Sequence, residues 1–243
     1  DTHSGQSRIR RDRAARGRIV RGGGKGKPPS VGAKQMAMLR RIPRILRFIP
    51  GAAQDVRAYF LAMQYWLAGS EENIGQMVRF LVSKFADGPR KELRGINFED
   101  PQSYPEVGVY HPRMAARMSE KADALPSPPT VRKGTVGLLL MRSYVLSGDT
   151  AHYDGVIAAF ESRGLKVIPA FATGLDQRPA IERFFMKNEK PVIDALVSLS
   201  GFSLVGGPAY NDARAAEDML VKLDVPYLAA QPVEFQTLEE WAE

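Results

Sequence analysis

Val136-Gly-Leu-Leu-Leu-Met141 is six residues with no charge and no polar side chain, closed at once by Arg142. Such a run is too short for an ordinary helix, and a strand facing water on one side would alternate apolar with polar residues. It therefore predicts a strand covered on both faces, which belongs in a parallel sheet between two layers. Three more mainly apolar strand candidates follow it, at 165–170, 192–199 and 225–229. Between them the spacing predicts helices, from a cap at Asp149 to about Arg163, from Arg178 to Lys187 and from Asn211 to Leu223. Strand and helix alternating in this way give an α/β fold over 134–243, a parallel sheet with flanking helices of the Rossmann/flavodoxin-like kind.

Upstream the pattern changes. Residues 34–133 read as a helical region and a connector. One helix is expected over 52–68, with Val56, Phe60, Met63 and Leu67 on one face and Gly69 at its end. A second starts at Ser70, a good N-cap, carries Glu71 and Glu72 in its first turn and is stopped by Asp87-Gly88-Pro89. The connector holds one short strand candidate, 106–110. It ends in Leu125-Pro-Ser-Pro-Pro-Thr130, a stiff stretch taken here as a boundary.

Residues 1–33 form a basic, Arg- and Gly-rich leader expected to be flexible. The first 50 residues carry 14 Lys/Arg and 2 Asp/Glu, so the net charge of +7 over 243 residues is a basic leader on a mildly acidic body. No aromatic residue is interleaved in the leader, which argues against a stacking-based nucleic-acid site. A solvated tail and a polyanion-binding arm both remain open. The chain has no cysteine, so disulfides, thiolate metal sites and cysteine nucleophiles are excluded, and a cytoplasmic setting fits. No apolar run is long enough to span a membrane.

Ligands of open parallel sheets bind beyond the C-terminal ends of the strands. The loops at that edge are 142–149, 172–177, 201–212 and 231–236, rich in Gly and polar residues. Arg142 offers a fork for a carboxylate or phosphate, and His152 sits in a first helical turn. Against that, Asp149, Asn211 and Asp212 are equally readable as helix caps, and His111 and His152 as packing residues. The three histidines have no metal-ligand spacing. No P-loop, dinucleotide fingerprint, zincin or nucleophile-elbow motif occurs.

Longer strings carry more. Ile45-Leu-Arg-Phe-Ile-Pro-Gly51, Tyr104-Pro-Glu-Val-Gly-Val-Tyr-His-Pro112, Gly201-Phe-Ser-Leu-Val-Gly-Gly-Pro-Ala-Tyr-Asn-Asp212 and Pro232-Val-Glu-Phe-Gln-Thr-Leu-Glu-Glu-Trp241 resemble the large, porphyrin-binding H subunits of magnesium chelatase, with cobalt chelatase large subunits as more distant kin. The resemblance covers about 34–243, and residues 1–27 are expected to stand outside it. It implies binding of protoporphyrin IX and insertion of Mg²⁺, the step that commits the porphyrin to chlorophyll and bacteriochlorophyll. ATP is then hydrolysed by AAA+ partner subunits. Family members are several times longer, so the resemblance implies a fragment, inactive alone, with its insertion centre in the remaining domains. No catalytic residue is assigned, and the metal ligands stay unknown. Arg142, Ser143, His152, Tyr210 and Asn211 are the candidates for touching a porphyrin propionate or a neighbouring domain. A non-enzymatic α/β binding module, recruiting an acidic partner or membrane through its leader, is the alternative.

Overall fold

The computed structural model describes residues 41–43, 45–127, 133–207, 209–230 and 237–242. The leader over 1–33 and the loop over 231–236 lie outside them.

Helix α1 (Ala53–Ala68) stops where Gly69 takes a left-handed conformation, its N–H bonded back to Tyr65 and Trp66 carbonyls. Helix α2 (Glu71–Phe85) begins directly after it. The Ser70 hydroxyl accepts the Asn73 N–H at 3.1 Å, as an N-cap should. The two helices bury Ala58, Leu61, Tyr65 and Phe80 against one another and against Phe98. Polar clamps fix the pair to the chain that follows. The Asn73 amide exchanges two hydrogen bonds with the Gln102 backbone, at 2.9 and 3.0 Å, and Gln76 accepts from the Glu99 N–H at 2.9 Å. The Tyr65 hydroxyl donates to the Glu99 carbonyl. Burial, with help from the Asp100 carboxylate, pushes that phenol up to about 12.

The main sheet has six strands. Its parallel part is β3 (Gly134–Met141), β4 (Leu165–Ala172), β7 (Ala195–Ser198) and β10 (Tyr227–Ala229). β1 (Val107–Tyr110) pairs antiparallel with β4, and β2 (Met118–Ser119) pairs with β1. The order across the sheet is β10-β7-β3-β4-β1-β2. The opening hexapeptide is thus the central strand, flanked by β4 and β7. The connector supplies two strands to the sheet, which draws on sequence from both sides of the proline-rich stretch.

The inner strands β1, β3, β4 and β7 feed two cores. Val136, Leu138 and Leu140 pack on one face with Val145, Tyr153 and Ile157, from the short helix α3 (Arg142–Ser147) and helix α4 (Ala151–Ser162). Leu139, Ile168 and Leu196 pack on the other with Ile181, Phe184 and Phe185, and with Met219 and Leu223 of helix α5 (Ala213–Leu223). This is the doubly covered sheet that uninterrupted apolar strands require.

Three expectations change. The loop after β3 is helical, since α3 takes Arg142–Ser147, and Thr150 rather than Asp149 stands at the N-cap position of α4. The helix expected over 178–187 is one short turn, Arg178–Ala180, running into a π-turn at Ile181–Phe185. Four buried side chains in six residues, Ala180, Ile181, Phe184 and Phe185, widen the turn so that both phenylalanines reach the sheet. The chain then reverses in a hairpin of β5 (Met186–Lys187) and β6 (Lys190–Pro191), with Asn188 and Glu189 both at positive φ. The third strand shortens to Ala195–Ser198, because Asp194 turns its carboxylate to the Thr135 N–H at 2.7 Å.

Candidate functional site

From β3 the chain crosses to β4 on one side, then returns across β3 to β7 on the other. That reversal is the switch point where such sheets open a crevice. Here the two loops above it pair with one another. Gln177 N–H donates to the Leu204 carbonyl at 3.0 Å, Gly206 N–H to the Leu175 carbonyl at 2.8 Å, and Asp176 bridges Val205. Beyond this roof the chain forms a hairpin of β8 (Gly206–Gly207) and β9 (Tyr210–Asn211). Its glycines answer to space. Gly206 has φ +114°, with a Cβ position 2.1 Å from the Tyr210 carbonyl oxygen, and a Cβ on Gly207 would stand 2.2 Å from Leu175 Cδ1. Close packing thus accounts for the Gly-Gly pair inside 201–212.

Beneath the roof lie buried polar groups. Ser198 and Ser200 hydroxyls are 2.9 Å apart, and Ser200 reaches the Phe202 carbonyl. Gln177 is 1% exposed, and its Oε1 has no hydrogen-bond partner.

Arg142 leaves the end of β3. Its Nε donates to the Pro105 carbonyl at 2.7 Å and an Nη to the Tyr104 carbonyl at 3.3 Å. The guanidinium thus ties the incoming connector over the strand ends. Arg142 and Ser143 share a cavity of about 240 Å³ with Leu67, Gly69, Thr173 and Leu175. A smaller cavity of about 120 Å³ adjoins through Arg142, lined by Met63, Gln102 and Tyr104. The other candidates stand apart from it. His152 is exposed and lies tilted against Tyr153, ring centroids 3.9 Å apart, with Tyr144 edge-on at 5.5 Å. Tyr210 and Asn211 are exposed on the hairpin, and Tyr210 is 68% open. The next residue, Asp212, caps α5 by accepting the Ala215 N–H at 3.0 Å.

Sequence reading missed two polar networks joining β1 to α4. The Tyr110 hydroxyl donates to Asp154 at 2.5 Å, while Arg117 donates to Tyr110, Thr150 and Asp154 at 2.5, 2.8 and 3.2 Å. Burial foremost, then the Asp154 bond, raises the Tyr110 phenol. Arg117 takes a left-handed φ of +55°, held by these bonds. Beside them, buried His111 lies 3.3 Å from Glu161, which also pairs with Arg113 at 2.6 Å. Arg117 and Tyr110 are 7 residues apart, but every bond to Thr150, Asp154 or Glu161 spans 33 to 50 residues, which local sequence does not signal. An open groove of about 650 Å³ is lined by Arg113, Met114, Met118 and Pro126 beside the β1–β2 turn. It is not at the strand ends.

Among the described residues no three His, Asp or Glu side chains gather to hold a metal ion, and no helix is long and apolar enough to cross a membrane.

A family model described as CobN/Magnesium Chelatase matches residues 63–243. The chain belongs to the CobN/magnesium chelatase family. It is 56% identical over 212 residues to a magnesium-chelatase H subunit of Cereibacter sphaeroides, covering 87% of this chain and 18% of that one. Identity is also 56% over 219 residues with the Rhodobacter capsulatus H subunit, covering 90% and 18%. The chain therefore spans about a fifth of the length of these relatives. The catalytic subunit of cobaltochelatase from Mycobacterium tuberculosis aligns at 22% identity and a TM-score of 0.49, over 79% of this chain and 14% of that one. A second model, a domain of unknown function (DUF3479), matches residues 6–60. Most of the basic leader falls inside that match.

Proposed function

We propose that this chain is one part of a magnesium chelatase H subunit and works inside the full protein. There protoporphyrin IX is held while Mg²⁺ is inserted, on the way to chlorophyll or bacteriochlorophyll, in the cytoplasm. The observation that carries this reading is the 56% identity to two H subunits over nearly nine-tenths of the chain. Insertion requires two pyrrole protons to leave and Mg²⁺ to shed water, which it does reluctantly. Those tasks fall to the remaining domains of the H subunit, and ATP hydrolysis falls to AAA+ partner subunits. The fragment alone is inactive.

The parallel strands, numbered in chain order, run 2-1-3-4, which supports a flavodoxin-like winding. Arg142 and Ser143 are proposed to meet a propionate at the strand-end cavity, Arg142 with a guanidinium already fixed in place. His152, Tyr210 and Asn211 are rim positions facing porphyrin or a neighbouring domain. A cavity of about 240 Å³ is small beside the roughly 300–1,000 Å³ that enclose a drug-sized ligand. It takes an arm of the macrocycle, and the rest of the protein encloses the ring.

The test is Arg142→Ala, in a full-length H subunit carrying this chain in place of its own matching segment. Porphyrin affinity should fall about tenfold, or about 1.4 kcal/mol. Unchanged affinity would remove Arg142 from the site.

A further inference from the structure

The helix pair α1 and α2 is half clothed. One stripe of each helix lies in the shared core. Roughly a third of a turn round from it, α1 presents Val56, Tyr59 and Trp66 to solvent, and α2 presents Val78, Leu81 and Phe85. Tyr59 and Trp66 are each more than 60% exposed, and Phe85 more than half. Together the six side chains expose on the order of 600 Å² of mainly apolar surface, near the roughly 800 Å² per partner of a stable interface. An apolar surface of that extent marks a place where something binds.

Three observations say what. The polar clamps on the helix pair, through Tyr65, Asn73 and Gln76, all run to residues 99–102 and fix it there, leaving the apolar stripe turned outward. Next, one family model ends at residue 60 and the other begins at 63, both inside α1, so a single continuous helix belongs to two domains. Last, the chain covers only 18% of the related H subunits. We infer that the face formed by Val56, Tyr59, Trp66, Val78, Leu81 and Phe85 is an interdomain seat, onto which an apolar surface from the part of the full-length protein outside residues 1–243 docks. The inference rests on the proposed role as part of an H subunit. The occupant must be apolar, because the stripe carries no charge and only the Tyr59 hydroxyl and Trp66 indole N–H are polar.

The absence of cysteine makes a direct test available. Tyr59→Cys and Leu81→Cys, both at exposed positions, are made separately in the 243-residue chain and in the Cereibacter sphaeroides H subunit with its matching segment replaced by this chain. Maleimide labelling at each position is followed by peptide mass spectrometry and scaled to the same cysteine in denatured protein. Trp66→Cys and Phe85→Cys serve as a second pair if either first variant loses its circular dichroism. The expected result is fast labelling in the isolated chain and labelling at least tenfold slower in the full-length protein. Equal rates in the two would overturn the inference. So would protection in the isolated chain: if it grows with concentration the face joins two copies, and if it does not the cover is residues 1–40. Porphyrin binding by the unmutated full-length chimera is read separately. Its failure would strike the proposed function, whereas the labelling ratio reports only on the face.

Discussion

At the scale of single residues, His111 is a buried imidazole whose two nitrogens are both occupied. Nδ1 accepts the Arg113 N–H at 3.2 Å, and Nε2 lies 3.3 Å from Glu161 Oε1. Burial lowers its pKa below the ordinary 6.5, and Glu161 pulls only part of the way back. The unfolded chain therefore takes up this proton first as pH falls. The stability tied to neutral His111 is complete above pH 6.5 and is lost as pH drops below that toward the folded value. Urea midpoints should thus be flat from pH 8 to 7 and fall between 6.5 and 5.5, with the slope reduced in His111→Gln. A midpoint constant across that range would contradict the assignment. At Gly207 the issue is space, since an added Cβ would collide with Leu175. Gly207→Ala should destabilise by about 1–3 kcal/mol, as overpacking does, read as a lower urea midpoint with unchanged m. The roles of Asp212 as a cap and His111 as a packing residue were open to reading from local sequence. The bond between Arg117 and Asp154 was not, because nothing local in either residue names a partner 37 positions away.

At the scale of elements, α2 was legible because its signals are local. Ser70, the two glutamates and the Asp87-Gly88-Pro89 stop all lie within the helix or at its ends. Ser70→Ala should cost about 1 kcal/mol. The loss should appear as earlier thermal unfolding of the α1–α2 pair, followed by hydrogen exchange in 53–85. Exchange unchanged there would mean that the cap is redundant with the Asn73 clamp. The segment 178–187 misled because Ile181, Phe184 and Phe185 keep helical spacing, while the surrounding chain has a two-residue reversal to make at Asn188-Glu189. Strand β1 was visible as a strand. Its antiparallel place beside β4 comes from pairing 61 to 65 residues away, which apolar pattern does not encode.

At the scale of the whole molecule, the central place of the hexapeptide at 136–141 and the switch point come from the observed strand order, and only a strand covered on both faces followed from the sequence. The paired loops that roof the crevice did not, since they depend on Leu175 and Gly206 meeting across the strand ends. That roof, with the small cavity beside Arg142 and Ser143, makes the central claim specific: the chain contributes one wall of a porphyrin site and needs the rest of the full-length protein to close it. The most direct measurement is a protoporphyrin IX titration of two proteins in parallel, the 243-residue chain and the full-length H subunit carrying it. It follows Trp66 and Trp241 fluorescence in the former and the porphyrin absorption band in both. The account predicts saturable one-to-one binding by the full-length protein and none by the isolated, folded chain. Equal affinity in the two, or no binding by the full-length protein, would contradict it.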